Sequence, residues 1–297
     1  QKTLAENIDK CVLNCLSSKL NKQRWETYIV QQIDSMLNLQ GISFNTFGVT
    51  IESEFIHGNK SQVAYEFKGR SKQTEMADIL FSVMLVDNGS LILHKVTFCQ
   101  AKKGYLSNWL PKTVNEAGQL YLLSRFPQFV GIKGIFPKKK IVMRNDSKCL
   151  GSYMFINPST CLQFSSAYLL DQKINCMNPY IFNPFEYNRP FGHYRNYFEP
   201  KSMFCPNTFN FIEDFSEMRL GETIYPVDYI RTNLDNNSDT ARVYYLLVNR
   251  LKKKHKFIPY LHKPRDIAPN INDIDFSEDG NIWVFNMTID ITEMRVR

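Results

Sequence analysis

The sequence contains no long hydrophobic run: no stretch approaches the roughly 18 consecutive apolar residues that a membrane-spanning helix requires. Its first six residues, QKTLAE, lack the pattern of a signal peptide. Closely spaced cysteines are also missing, because none of the seven cysteines forms a CxxC pair. These absences argue against a membrane span and a disulfide framework, and they predict a cytoplasmic protein with reduced thiols.

Neither a strong charge imbalance nor an internal repeat marks the chain. Lys and Arg number 36 against 29 Asp and Glu, a formal net charge of +7, which permits a polyanionic partner without requiring one. Apolar residues make up 43% and aromatic residues 13% of the sequence, enough for a substantial core. A length of 297 residues suits one large domain or a core with an appended lobe.

Two sites that depend on cysteine or histidine receive little support from the spacing. A zinc site would have to draw on residues that follow no standard zinc-ligand pattern: Cys149, Cys161, Cys176, Cys205 and His193. A hydrolase that used His193 with Cys176 or Cys205 would likewise rest on scattered residues that predict no geometry. Ordinary core cysteines are the simpler interpretation.

The strongest functional pattern lies between Glu75 and Tyr105. Two apolar, β-rich runs flank the turn sequence DNGS at 87–90, which is typical of a β-hairpin. Asp78 stands at the start of the first run, and the tripeptide from Gln100 to Lys102 closes the second. Because residues two apart in a strand share a face, Gln100 and Lys102 project together. A carboxylate, an amide oxygen and an ammonium group would then meet at one end of the sheet.

The register of this hairpin decides whether those side chains meet. A plain two-residue loop of Asn88 and Gly89 would place Asp78 opposite Cys99, so that Gln100 would face the wrong side. A three-residue loop, or a β-bulge in either strand, would place Asp78 opposite Gln100. The predicted site therefore requires the longer loop or a bulge.

The elements around the hairpin complete an αβββαβ order. Helix is expected over residues 4–39, as one helix or as two with a break near Ser17 or Asn21, and Glu26 lies beside its apolar stripe. Thr113 and Glu116 form a capping box that opens a second helix, on which Gln119 lies. The remaining predicted elements are strands over 42–55, 63–67, 131–136 and 141–143 and a basic turn over 68–72. The pattern predicts a mixed sheet flanked by helices.

The second half has a different composition. Residues 147–226 are rich in Asn, Pro, Phe and Tyr and show poor periodicity, which predicts an irregular but packed lobe. A helix with a basic final turn over 250–256 follows from Ser238, and a terminal hairpin spans 274–291. The basic turn is either a dipole-compensating helix end or a phosphate-contacting patch. We therefore predict a core over residues 1–148 and an accessory α+β lobe over 149–297.

Residues 20–145 resemble the PD-(D/E)xK nuclease superfamily, whose members share the restriction-endonuclease-like fold. Asp78, in the sequence Ala-Asp-Ile, resembles the acid that begins one strand in that family, although Ala replaces the usual preceding Pro. Gln100-Ala101-Lys102 resembles the acid-x-Lys tripeptide, with Gln in place of the acid. Glu26 resembles the first-helix glutamate, and Gln119 resembles the helix glutamine of members similar to the RecB nuclease.

The resemblance implies a Mg²⁺- or Mn²⁺-dependent nuclease that hydrolyses DNA. Asp78 would be the principal metal ligand, with Glu26 as a second acid and Gln100 binding through its carbonyl oxygen. Lys102 would orient the attacking water and offset charge on the phosphoryl oxygens, and Gln119 would position Lys102 or the phosphate. Since Gln100 is neutral, the site is one negative charge short, and Glu54 and Glu75 are the candidates to compensate.

Two other interpretations stay open. The core could be a catalytically inactive module that binds nucleic acid or a partner protein, and a basic strand end at Lys102 and Lys103 needs no role beyond solvation. The chain could also act as a homo-oligomer or within a larger defence complex, since many stand-alone nucleases with such a core serve antiphage defence or restriction. Interface-type residues in the second half motivate this last interpretation: Tyr187, Arg189, Tyr194 and Arg195.

Overall fold

The computed structural model describes the following residues: 2–17, 42–44, 47–55, 62–87, 90–133, 136, 138–143, 145, 147–175, 203–225 and 283–290. Within them the protein is a mixed α/β structure with two β-sheets. The helices of this part are α1 (Lys2–Ser17), α2 (Val114–Arg125), α3 (Ala167–Asn175) and α4 (Thr208–Ser216), with a short 3₁₀ turn over Leu106–Asn108.

The strands supply most of the described architecture. They are β1 (Ile42–Phe44), β2 (Phe47–Phe55), β3 (Gln62–Phe67), β4 (Arg70–Glu75), β5 (Ile79–Asp87), β6 (Ser90–Lys103), β7 (Phe129–Lys133), β8 (Lys140–Ile141), β9 (Gly151–Asn157), β10 (Cys161–Ser166), β11 (Phe204–Cys205), β12 (Glu222–Tyr225) and β13 (Trp283–Asp290). The large sheet runs β1-β2-β13-β5-β6-β9-β10-β11, and β12 also pairs with β6. It is mixed, because β13 runs parallel to β5 and β9 parallel to β6. The small sheet, β4-β3-β7-β8, is antiparallel.

The β5–β6 hairpin contains the bulge that the predicted site requires. Asp87 pairs with Ser90, which is the arrangement of a two-residue loop. The register then shifts, since Val86 pairs with Leu91 whereas Leu85 pairs with Leu93. One extra residue on β6 therefore moves Ile79, the first residue of β5, opposite Cys99. Asp78, one residue earlier, reaches Gln100 through its side chain. The backbone N–H of Asp78 donates to the carbonyl of Cys99 at 3.1 Å, which anchors the chain just before β5.

Apolar side chains form a core on each face of the large sheet. On one face, Phe98 and Tyr153 pack with leucines of α2 and with Val63 of the small sheet. On the other face, Cys99 and Ala101 pack with apolar residues of α1 and α4. Alternate residues of β6 thus point into different cores, so the face that bears Gln100 is the face that α2 covers.

Helix α2 is fixed tightly against the large sheet. The predicted capping box is confirmed: Thr113 accepts a hydrogen bond from the N–H of Glu116, whose carboxylate accepts from the N–H of Thr113. Gly151 opens β9 directly beneath the helix, and a Cβ there would overlap the carbonyl oxygen of Leu123 and lie 2.8 Å from the carbonyl carbon. The lack of a side chain at residue 151 lets α2 approach the backbone of β9.

Several predicted boundaries in the first half are corrected. α1 ends at Ser17, where a break was predicted, and the expected continuation that carries Glu26 lies outside the described residues. The single strand predicted over 42–55 is a hairpin in which Phe44 pairs with Phe47. The predicted basic turn is shorter, because Lys68 and Gly69 alone form it, with φ angles of 52° and 72°, and β4 begins at Arg70. Two successive positive φ values are the geometry of a tight hairpin turn.

The second half contributes regular strands to the same sheet, which corrects the expectation of an irregular lobe. β9 is buried along its whole length and lies beside β6, while β10, β11 and β13 extend the sheet on its two sides. The large sheet therefore draws strands from both sides of the predicted boundary between residues 148 and 149. The final predicted strand agrees with β13, whereas the helix from Ser238 and the strand over 274–276 lie outside the described residues.

Candidate functional site

Asp78, Gln100 and Lys102 lie at one end of the β5–β6 pair, on the face of the sheet that α2 covers. Asp78 immediately precedes β5, its carboxylate is hydrogen-bonded to the side chain of Gln100, and Lys102 follows Gln100 two residues later in the same strand. Their neighbours Cys99 and Ala101 point into the opposite core. The convergence predicted for these three residues is thus present in the strand register and on a single face.

The Asp78 carboxylate is held by two donors from β6. Its Oδ2 accepts a hydrogen bond from the backbone N–H of Ala101 at 2.8 Å and another from Nε2 of Gln100. Ala101 is 2% exposed and Gln100 6% exposed, so both donors are shielded from solvent. A carboxylate that accepts two buried hydrogen bonds has a fixed orientation, which is the first requirement of a binding or catalytic group.

Gln119 extends this arrangement from the helix. Its Nε2 donates to Oε1 of Gln100, so that the hydrogen bonds run in one direction, from Gln119 through Gln100 to Asp78. We call these three side chains the amide–carboxylate chain. Gln119 is buried, and the capping box and the contact of α2 with Gly151 set its position. The contact differs from the role predicted for Gln119, which had it position Lys102 or a phosphate.

A second acid, Glu75, interacts with Lys102 at the edge of the site. Glu75 is the last residue of β4 and is exposed by accessible area, yet the surrounding protein removes part of its hydration. This desolvation raises the pKa of Glu75 above its ordinary value, and the positive charge of Lys102 opposes the rise. Of the two acids predicted to compensate for Gln100, Glu75 is therefore electrostatically linked to the site. Glu54 lies on β2, which β13 separates from β5, and its side chain is outside the described part of the structure.

Two buried tyrosines beside the site were not predicted. Tyr153 lies next to Gln100 in the β6–β9 register and is fully buried, and Tyr65 of β3 is 4% exposed. Burial, with the nearby Asp78 carboxylate as a further cause, raises the pKa of Tyr153 well above its usual value. Neither hydroxyl has a hydrogen-bond partner within the described residues. Tyr153 was not found from the sequence, because β9 lies in the region that was predicted to be irregular.

The residue types of the site fit a hard divalent cation, which prefers carboxylate and carbonyl oxygens. Asp78 offers a carboxylate, but Gln100 directs Nε2 towards it and Oε1 towards Gln119. In the described ranges, no group of three or more His, Cys, Asp or Glu side chains comes together as a metal site. The oxygen of Gln100 can therefore join Asp78 as a ligand only if its amide turns over.

The alternative zinc ligands are not gathered by the described fold. Cys149 lies in the core on the α2 face, whereas Cys161 and Cys205 lie in the core on the opposite face. All three are buried and none forms a disulfide, and Cys205 Sγ donates to Asp214 at 3.3 Å. Cys176 and His193 lie outside the described residues.

Basic side chains lie on the elements that pack on this face. Lys72 of β4 binds Asn115 at the start of α2, and its aliphatic chain lies beside Gly118. Further basic residues at the ends of these elements are exposed: Lys68, Arg70 and Lys112. Such a distribution can attract a polyanion towards the amide–carboxylate chain.

Comparisons with protein-family models, with curated proteins and with solved structures found no match to the chain. Within the described residues, no helix is both long and apolar enough to cross a membrane.

Proposed function

We propose that the protein is a Mg²⁺- or Mn²⁺-dependent deoxyribonuclease, most simply an endonuclease, with its site at Asp78, Gln100 and Lys102. One observation carries the proposal: the bulged register of β5 and β6 brings Asp78 against Gln100 with Lys102 on the same face. If the sequence Gln100-Ala101-Lys102 had no function, neither the β-bulge nor a hydrogen bond to a distant aspartate would be expected beside it. The functional residues are thus linked by structure as well as by sequence pattern.

The connectivity around the site supports a restriction-endonuclease-like core. β5 and β6 are antiparallel, α2 follows β6 along the chain, and β9 returns parallel to β6 beside it. In the αβββαβ order these elements would correspond to the last two strands before the crossover helix, that helix and the final strand. The final strand was predicted over 131–136 and 141–143, but β7 and β8 belong to the small sheet, and β9 takes the place beside β6. A cytoplasmic location and a role in antiphage defence or restriction are part of this proposal by analogy with such nucleases.

The chain's own residues would divide the work as follows. Asp78 would hold the cation through its carboxylate, Gln100 through Oε1, and Glu26, outside the described residues, would be a further acid. A bound divalent cation polarises the phosphodiester and lowers the pKa of its water. Lys102 would orient that water and offset charge on the phosphoryl oxygens. The carboxylate of Glu75, which interacts electrostatically with Lys102, would partly offset the positive charge of the ammonium group.

The direct test is divalent-dependent cleavage of duplex and single-stranded DNA by the wild type, Asp78→Asn and Lys102→Ala. Both variants should lose cleavage by at least about a hundredfold, since each removes a group that acts on the reacting phosphate. Glu66→Gln and Lys10→Ala change exposed residues of the same charge, Lys10 on the helix that covers the opposite face of the sheet, and should retain wild-type cleavage. Cleavage that survives both site substitutions unchanged would refute the assignment.

A non-catalytic nucleic-acid-binding module is the second candidate, favoured by one observation. Gln100 is hydrogen-bonded at both ends of its amide, to Asp78 and to Gln119. A module of this kind should bind DNA equally well with a chelator or with Mg²⁺ and never cut it. DNA affinity measured in both conditions, together with the cleavage assay, separates the two functions.

A further inference from the structure

The direction of the hydrogen bonds in the amide–carboxylate chain is unusual for a site that binds a cation. Gln119 donates to Gln100, and Gln100 donates to Asp78. The Gln100 group that faces the carboxylate is therefore an N–H, which cannot act as a metal ligand. In the structure, the amide–carboxylate chain supplies hydrogen-bond donors to the Asp78 carboxylate from within the protein.

Gln100 can become a ligand by rotation about its last side-chain torsion. That torsion joins an sp³ to an sp² carbon and is broad and roughly two-fold, so the turned amide is an accessible state. The turn exchanges Oε1 and Nε2, which places the carbonyl oxygen beside Asp78 and the N–H groups towards Gln119. No backbone movement is needed.

A turn of Gln100 alone would leave a conflict with Gln119. Its Nε2 would then face Nε2 of Gln119, two donors without an acceptor, at side chains that are 6% and 8% exposed. Buried donors without an acceptor are costly, whereas a turn of Gln119 presents its own Oε1 and removes the conflict. A glutamine can offer a donor or an acceptor at one point without a change of charge, and an ionised glutamate can offer only an acceptor.

We propose that Gln119 is the positioning residue of a two-amide switch: when a divalent cation binds at Asp78, Gln100 and Gln119 turn over together. This inference rests on the proposed function and extends it, because it gives Gln100 and Gln119 a joint role. The cation-free state is stable with one carboxylate and two satisfied amides. A pair of acids in the same places would repel each other until a cation bound.

The side-chain amide signals of ¹⁵N-glutamine-labelled protein test the switch without any reference to activity. Gln100→Met and Gln119→Met identify the two signals, and Mg²⁺ is diamagnetic, so shifts report hydrogen bonding. Both signals should move with a common midpoint that matches the Mg²⁺ affinity from calorimetry. The Gln100 proton that leaves the Asp78 carboxylate should move upfield. A Gln119 signal that stays fixed while Mg²⁺ binds would overturn the switch alone.

A failure to bind Mg²⁺ would bear on the proposed function as well as on the switch. If calorimetry shows no heat and neither amide signal moves, the metal site of the proposed function is refuted, and the switch with it. Binding without coupled movement leaves the metal site in place and removes only the role of Gln119. The two failures are therefore distinguishable in one titration.

A variant provides a second, independent measurement. Gln119→Glu offers only an acceptor, which favours the turned Gln100 and should tighten Mg²⁺ binding about tenfold. Asn115→Asp adds the same charge one helical turn away, without the contact to Gln100, and should tighten it about twofold at most. Equal tightening in both would mean a general charge effect and would overturn the switch. If Gln119→Glu does not fold, the wild-type amide signals decide the matter.

Discussion

Replacement of Asp78 should destabilise the cation-free protein, which is the opposite of what a cluster of acids would show. In a site where two carboxylates face each other, removal of one relieves repulsion and stabilises the protein without metal. Here Asp78 faces donors instead: the N–H of Ala101 at 2.8 Å and Nε2 of Gln100. The sign of the stability change therefore distinguishes the two arrangements.

The magnitude follows from the two donors that would lose their acceptor. Each buried N–H left unsatisfied costs about 1–3 kcal/mol, and Ala101 and Gln100 are both shielded from solvent. Gln100 can recover part of that cost by a small rotation, so Asp78→Ala should lower the free energy of unfolding by about 3 kcal/mol. Asp78→Asn keeps a neutral acceptor oxygen at the same place and should cost about 1 kcal/mol.

The assay is urea denaturation in the presence of a chelator at neutral pH, with equal denaturant slopes required for comparison. Glu66→Ala is the matched control, because Glu66 is an exposed acid on β3, and its removal should change stability by less than about 0.5 kcal/mol. An Asp78→Ala variant as stable as the wild type, or more stable, would refute the hydrogen-bonded arrangement.

Three further predictions concern the elements that position the site. Gly151→Ala should destabilise the protein by about 3 kcal/mol in urea denaturation, because its Cβ would overlap the carbonyl of Leu123, and a change below about 0.5 kcal/mol would contradict the close approach of α2 to β9. Thr113→Ala should cost about 1 kcal/mol by the same assay through loss of the N-cap hydrogen bond, whereas Thr113→Ser should cost little. Glu75→Gln should raise the melting temperature at neutral pH. The pKa of Glu75 in the folded protein lies above the ordinary value of 4.5, because burial disfavours the charged form. The neutral form therefore contributes stability below pH 4.5, and this contribution is lost as the pH rises through the folded pKa. The difference in melting temperature between Glu75→Gln and the wild type, measured by scanning fluorimetry, should shrink as the pH falls towards 4.5. A difference that grows as the pH falls would contradict the raised pKa of Glu75.

The sequence predicted those parts of the site that depend on local rules. The capping box before α2 and the turn between β5 and β6 are short-range signals, and both are present. The requirement for a bulge or a longer loop also followed from the count of residues in the hairpin. The place of the bulge, on β6 opposite the step from Leu85 to Val86, did not. Strand alternation was enough to place Gln100 and Lys102 on one face.

Long-range contacts were beyond such rules. The hydrogen bond between Gln119 and Gln100 depends on the position of α2 over the large sheet. Gly151 allows α2 to approach the sheet closely, and it lies in a part of the sequence that was predicted to be irregular. β9 gave no strand signal because it is buried on both faces and lacks alternation, and its neighbour β6 lies some fifty residues earlier. Tyr153 was missed for the same reason.

The most direct test of the central claim is the position of Mn²⁺, located by its anomalous scattering in crystals of the protein grown with that ion. A peak is expected about 2.1 Å from a carboxylate oxygen of Asp78 and from Oε1 of Gln100, with the Gln100 amide turned so that Oε1 and not Nε2 faces Asp78. A peak bound elsewhere, or an Asp78 carboxylate still bonded to Nε2 of Gln100 in crystals saturated with Mn²⁺, would contradict it.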